Sequence, residues 1–109
     1  MRYRNNIDIS GNISRINTDN EKFVWLDIAQ NTTYKNKEGN KEEVRYFFNT
    51  RLFKDTYEKL KDILVVGKLV RISGALRNYY DKSNNKISFI QVFDIKEINL
   101  KEDKDVSKK

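Results

Sequence analysis

Apolar and polar residues alternate over residues 7–14, in a pattern that predicts a β-strand. Ile7, Ile9, Gly11 and Ile13 fall on one side with polar residues between them, as in a strand with one buried face. Gly11 inside this pattern favours a bulge or a sharp bend in the strand. Residues 17–20 then have the composition of a turn.

The same alternation predicts two further strands, over residues 23–30 and 44–53. Between them, residues 31–43 are polar around Gly39 and predict a long hairpin loop. The residues that share the expected core faces are Val24, Leu26 and Ile28 in the second strand, and Tyr46, Phe48, Thr50 and Leu52 in the third. The opposite faces hold Phe23, Trp25, Asp27 and Ala29, and then Arg45, Phe47, Asn49, Arg51 and Phe53.

Over residues 55–64 the apolar spacing changes from two to about 3.6, which predicts a short helix. Asp55 is the expected N-cap, with Glu58 three positions later, close to a capping box. The apolar side of this helix holds Tyr57, Leu60, Ile63 and Leu64.

Gly67 separates the helix from a fourth strand at 68–77, with Val70, Ile72, Gly74 and Leu76 on its core face. A second hairpin loop over 78–86, with its turn at Asn84–Asn85, leads to a fifth strand at 87–98 that is apolar on both faces. Five strands with one helix between the third and fourth predict an all-β fold, the five-stranded OB-fold Greek-key barrel. We assign it to residues 1–100, and expect the charged tail at 101–109 to be disordered.

Composition narrows the range of functions. The chain has no cysteine and no histidine, so thiolate metal sites and the commonest general base are excluded. We therefore expect no metal, no cofactor and no enzymatic activity. The formal charge of +6 is compatible with a polyanionic partner. No apolar run approaches a membrane span, and the N-terminus lacks a secretory signal, so we expect a cytoplasmic protein with no membrane partner.

Aromatic and basic residues share the non-core faces, an arrangement typical of single-stranded nucleic-acid binding, in which bases stack on rings and cations neutralise phosphates. Phe47 is predicted to lie between Arg45 and Arg51. An alternative is that Phe47 packs under a loop or against another subunit while the arginines are solvated. Trp25 is equally compatible with ligand contact and with a second core under the helix or between protomers.

The two predicted hairpins add tyrosines beside cations. Tyr34 accompanies Lys35 and Lys37 in the first hairpin, and Tyr79 and Tyr80 follow Arg77 at the start of the second. Few apolar neighbours surround these tyrosines, so nucleic-acid contact is favoured over a place in the core.

Three segments of the chain resemble the bacterial-type single-stranded DNA-binding proteins: IDISGNISR, LDIAQNTTYKNKEGNKEEVRYFFNTRLF and YEKLKDILVVGKLVRISGALRNYYDKSNNKISFIQVFDI. The resemblance implies base stacking at Tyr34, Phe47, Phe53 and either Tyr79 or Tyr80. It also implies a homo-oligomer, commonly a tetramer, with a dimer as the alternative. The most specific part runs from Leu52 to Tyr80.

The chain departs from this family at several points. Stacking positions that often hold tryptophan hold tyrosine or phenylalanine here, and Trp25 has no obvious counterpart. The chain ends in KEDKDVSKK instead of the family's acidic, hydrophobic tip, which recruits replication and repair proteins. That recruitment is therefore in doubt, although replication or recombination proteins remain candidate partners.

Two functions remain from the sequence. The first is sequence-independent binding and protection of single-stranded DNA in replication, recombination or repair. The second is an OB-fold accessory protein of a primosome or a mobile-element replication system, which acts mainly through protein–protein contacts.

Overall fold

The computed structural model describes residues 3–99. Its elements are β1 (Ile7–Asn17), β2 (Phe23–Lys35), β3 (Lys41–Phe53), α1 (Lys54–Leu60), β4 (Leu69–Tyr80) and β5 (Lys86–Glu97). The strands close into a barrel in the order β1-β2-β3-β5-β4, which confirms the predicted OB-fold class. The tail at 101–109 lies outside the described residues, so its disorder and the domain boundary at residue 100 stay predictions.

The barrel interior is filled by the residues that the alternation predicts. Val24, Leu26 and Ile28 of β2 pack with Leu52 of β3, and all are almost completely buried. The helix α1, which ends at Leu60 and not at residue 64 as predicted, and the segment after it close one end of this core. Leu64 is buried there, and the partly buried residues packed with it are Tyr57, Leu60 and Ile63. In β5 the consecutive residues from 89 to 92 are all buried, as expected for a strand that is apolar on both faces.

β1 is shared between both sides of the barrel. Its first half pairs with β4 and its second half with β2, and the change of partner occurs at Asn12. Gly11 lies next to this point, where a Cβ would come within 2.6 Å of the carbonyl oxygen of Ala29. The sequence predicts a bulge or a sharp bend at Gly11, and the bulge is wrong, because the register with β4 is regular there. The irregularity in the β1–β2 register lies between Ile13 and Arg15, and Gly11 instead permits a close approach of two strands.

The predicted hairpin loops are too long. β2 continues to Lys35 and β3 begins at Lys41, so the first turn is only 36–40, and the second turn lies at 81–85. Polar residues form these strand ends because both faces of a projecting hairpin are solvated, which leaves no apolar alternation to detect. Asn84 adopts a positive φ of 64°, as expected for its predicted turn position.

Two core assignments and the helix cap are also wrong. Tyr46 and Leu76 are each 51% exposed, because both lie on hairpin segments that extend beyond the closed part of the barrel. The helix begins at Lys54 with Phe53 at the N-cap position and no side-chain cap hydrogen bond. Asp55 lies instead in the first turn, where its negative charge interacts favourably with the positive end of the helix dipole.

Candidate nucleic-acid interface

Two hairpin arms extend from the barrel. β1 pairs with β2 no further than Ala29, β4 pairs with β1 no further than Gly74, and β3 pairs with β5 only at Thr50 and Arg51. Past these points β2 and β3 pair only with each other, and so do β4 and β5. We call residues 30–49 the first arm and residues 75–89 the second arm.

One outer face of the barrel and arms is aromatic. Strand partners in an antiparallel ladder present their side chains on the same face. The pairs Phe23–Phe53, Trp25–Arg51 and Ala29–Phe47 therefore share the face opposite the core of β2 and β3. The pairing of Arg51 with Gln91 extends this face to β5 and β4, where it includes Phe89 and Tyr79. We call this surface the aromatic face.

Arg51 occupies the centre of the aromatic face. Its guanidinium carbon lies 3.9 Å from the ring centroid of Phe23, 4.3 Å from that of Phe89 and 5.7 Å from that of Trp25. Its Nε and Nη2 both donate to Oε1 of Gln91, at 3.0 and 2.7 Å. Gln91 in turn donates through Nε2 to the backbone oxygen of Arg51 at 3.1 Å. Arg51 therefore links β3 to β5 through Gln91 and contacts three aromatic rings.

Partial burial lowers the pKa of the Arg51 guanidinium, while Tyr79 acts on it in the opposite direction. The group still remains protonated at any physiological pH, because arginine titrates far above that range. Its charge is thus held among rings and one amide oxygen, where cation–π attraction is strongest. The sequence predicts a phosphate-neutralising role for Arg51, whereas its described contacts are all internal.

Trp25, Tyr79 and Phe89 form a ring cluster beside Arg51. Trp25 meets Phe89 edge-on at 5.3 Å between centroids, and Tyr79 lies 6.3 Å from Trp25 and 5.9 Å from Phe89. Trp25 is half-buried and packs against the rings of Tyr79 and Phe89, and its contact with a ligand stays a prediction.

Phe47 and Phe53 are the exposed rings of β3. Their side chains are 59% and 55% accessible, on the same side of a strand as its parity predicts. They are six positions apart in β3, which corresponds to about 20 Å along an extended strand. The guanidinium of Arg45 lies 5.9 Å from the Phe47 ring and donates to Asn31 Oδ1 at 2.8 Å, while Phe53 packs against Phe23 at 5.4 Å.

The other predicted contact residues surround this face or lie on its reverse. Tyr34 pairs with Glu42 on the opposite side of the first arm from Phe47, and Lys35 and Lys37 are exposed at its tip. On the second arm, Tyr79 lies on the aromatic face, whereas Tyr80 is exposed on the reverse. Arg77 shares the face of Phe89 and borders a groove with Phe93.

Sequence reasoning alone missed Phe89 and Gln91 as part of this site. The apolar run of β5 made Phe89 look like ordinary core, and a lone glutamine gave no signal. Asp27 and Asn49 were placed correctly on the non-core faces, but no role was assigned to them. Among residues 3–99, no cluster of three or more metal-ligating side chains is found, and no helix has the length and apolarity needed to cross a bilayer.

Similar folds occur in solved single-stranded DNA-binding proteins. The single-stranded DNA-binding protein of Thermus aquaticus superposes with a TM-score of 0.71 at 19% identity over 91% of this chain, which spans about half of that protein (52%). The Plasmodium falciparum protein, solved with single-stranded DNA, gives 0.70 at 14% identity and covers 91% of this chain and 98% of its own. A small single-stranded DNA-binding protein from Mycoplasma pneumoniae gives 0.68 at 18%, over 89% and 94% of the two chains.

The structural superpositions show the shared fold, and a comparison of sequences shows the family. Comparison with curated protein sequences gives no significant match. Residues 6–100, however, match the family described as the single-strand binding protein family, which accounts for nearly the whole described chain. The chain therefore belongs to the single-strand binding protein family.

Proposed function

We propose that the protein binds single-stranded DNA without sequence preference, by stacking bases on the aromatic face. The observation that supports this most directly is the pair of half-exposed rings, Phe47 and Phe53, on one side of β3. Their separation of about 20 Å means that they contact different nucleotides of one strand. Tyr79, on the second arm, supplies a further ring, and Tyr34 and Tyr80 extend the contact around the arms.

The phosphates are neutralised by cations that surround these rings. Arg45 lies beside Phe47, Lys35 and Lys37 occupy the tip of the first arm, and Arg77 lies on the second arm. All four are exposed, and no described acidic group forms an ion pair with any of them within residues 3–99. We exclude Arg51 from this set, because its guanidinium is already bonded to Gln91 and enclosed by rings.

We expect the affinity for oligo-dT to fall steeply with salt. Each phosphate neutralised releases counterions, with a slope of about −0.7 in log affinity against log salt for single strands. Four exposed cations therefore give a slope of about −3 per protomer. Trp25 is the only tryptophan, so quenching of its fluorescence by oligo-dT at several salt concentrations measures the slope. An affinity independent of salt, or no binding at low salt, contradicts the proposal.

We propose further that the protein acts by binding alone, in the cytoplasm, and protects single strands exposed in replication, recombination or repair. Replication or recombination proteins are its candidate partners. The proposal rests on the family and on the absence of histidine and cysteine, which removes the commonest catalytic side chains.

We propose that the protein is a homo-oligomer, a tetramer rather than a dimer. Large apolar side chains that remain exposed support this, among them Leu76 and Phe93, the latter 64% accessible. In sedimentation we expect a species several times heavier than the 13.0 kDa chain, and heavier again with oligo-dT. Leu76→Asp is expected to shift it toward the monomer, whereas Val66→Asp, also exposed, serves as the control. A 13.0 kDa species at all concentrations contradicts the proposal.

A further inference from the structure

A small pocket opens on the aromatic face beside Trp25. Its volume is about 180 Å³, well below the size of pockets that take drug-sized molecules. Its walls include two rings, those of Trp25 and Tyr79, whose centroids are 6.3 Å apart and whose planes are tilted by 50°. The remaining lining residues are all polar: Arg15, Asn17, Asp27 and Asn49.

The register of the three strands places these polar groups next to one another. Asp27 of β2 pairs with Arg15 of β1 on one side and with Asn49 of β3 on the other. Side chains of directly paired residues lie about 4.5–5.5 Å apart at Cβ. Within residues 3–99, none of the three side chains has a hydrogen-bond or ion-pair partner, even though each has a paired polar neighbour.

Asp27 is the unexpected member of this group. A surface that binds a polyanion gains nothing from a carboxylate near its centre, since the carboxylate repels phosphates. Asp27 is half-buried beside Trp25, so its carboxylate is only partly exposed to solvent. An ionised carboxylate only accepts hydrogen bonds, and the part of DNA that offers neutral donors is the base edge.

We propose that this pocket is a base-edge subsite that favours cytosine over thymine. The proposal rests on the proposed single-strand binding and adds a base preference at one position. Asp27 accepts a hydrogen bond from the N4 amine of cytosine, the pairing of carboxylate and cytosine that is used in direct readout. Arg15 and the Asn49 amide donate to the ring nitrogen and carbonyl oxygen on the same edge, and the rings of Trp25 and Tyr79 flank the base.

Thymine lacks the feature that this subsite recognises. It carries a carbonyl oxygen where cytosine carries the N4 amine, and an N3–H donor where cytosine has an acceptor. In the same pose Asp27 therefore faces an acceptor, and the group that donates to the ring nitrogen faces a donor. A site that leaves a polar group unpaired rejects the wrong ligand more strongly than it favours the right one. The preference is confined to one position, so binding elsewhere along the strand remains tolerant of sequence.

The test compares oligo-dC with oligo-dT of equal length, in the wild type and in Asp27→Asn. The carboxamide can donate to thymine, so we expect Asp27→Asn to lower the ratio of dC affinity to dT affinity by about fivefold to tenfold. Loss of the negative charge strengthens both complexes alike and cancels in the ratio. Asn49→Leu, which leaves the charge unchanged, is expected to lower the same ratio. Asp62→Asn, in the turn after α1, is the matched control and leaves it unchanged.

Each outcome of this experiment decides one question. A ratio that falls in both pocket variants supports the subsite. If Asp27→Asn strengthens both complexes equally, Asp27 acts only through its charge and the subsite is refuted, while single-strand binding stands. If the wild type binds neither oligonucleotide at low salt, the proposed binding mode itself fails. Melting temperatures of the variants equal to that of the wild type show that the ratios report on the pocket.

Discussion

Replacement of Phe47 by alanine is expected to weaken the binding of single-stranded DNA by about 1–3 kcal/mol, which is the range for loss of one stacked base. The reason is geometric, because the ring is 59% exposed on the aromatic face and contributes little to the core. Its removal should therefore lower the affinity for DNA and leave the free energy of unfolding of the barrel nearly unchanged. Affinity for oligo-dT from Trp25 quenching, together with the free energy of unfolding, separates the two effects.

Three further variants sharpen this test. Phe47→Leu keeps an apolar side chain without a π-face and should lose nearly as much affinity as alanine, whereas Phe47→Trp should bind at least as tightly as the wild type. Val66→Ala removes a side chain of similar exposure in the turn after the helix, and should leave affinity unchanged. If Phe47→Ala instead dissociates the oligomer and the remaining oligomer binds normally, the ring belongs to a subunit contact.

Replacement of Arg51 by methionine is expected to destabilise the protein by about 2–3 kcal/mol, because a charge-assisted hydrogen bond and a desolvated cation–π contact are both lost. Methionine keeps much of the apolar stem but leaves Oε1 of Gln91, a residue that is 7% exposed, without its donor. The emission of Trp25 should change, since the guanidinium lies 5.7 Å from its ring. DNA affinity should fall as well, because the ring cluster loses its fixed arrangement.

The salt slope distinguishes a positioning role from phosphate contact. In Arg51→Met we expect the slope of log affinity against log salt to equal that of the wild type. Arg45 lies on the same face of β3, six positions from Arg51. In Arg45→Met we expect the slope to decrease in magnitude by about 0.7, with stability unchanged. A smaller slope in Arg51→Met, with stability intact, would place its guanidinium on a phosphate.

Strand alternation predicted the faces of the barrel well, because burial on one side imposes a period of two. Phe47 and Phe53 lie on the side opposite Leu52, and Trp25 on the side opposite Val24, as the sequence indicated. The same rule failed for Tyr46 and Leu76. Parity gives the face of a residue but not the point at which the barrel ends and an arm begins, which depends on pairing with distant strands.

The contacts at the centre of the aromatic face could not be predicted from the sequence, for a similar reason. Arg51 and Gln91 are forty residues apart, and they meet only because β3 and β5 pair at this point. An arginine among aromatic residues on an outward face is typical of a phosphate contact. The sequence does not indicate its actual partner, Gln91, because the two residues become neighbours only in the closed barrel. Asp27 was likewise placed on the right face, but its neighbours Arg15 and Asn49 come from two other strands.

The short pairing of β3 with β5 is expected to couple separation of these two strands to ligand binding on the aromatic face. All 13 residues of β2 pair with β3, whereas β3 and β5 pair at only two positions, one of them Arg51–Gln91. We therefore expect the barrel to separate most readily at this junction, which would disperse the rings of the aromatic face. A ligand that binds only the closed form stabilises it by mass action. We therefore expect the protein to become most rigid along this line when it binds a strand of DNA.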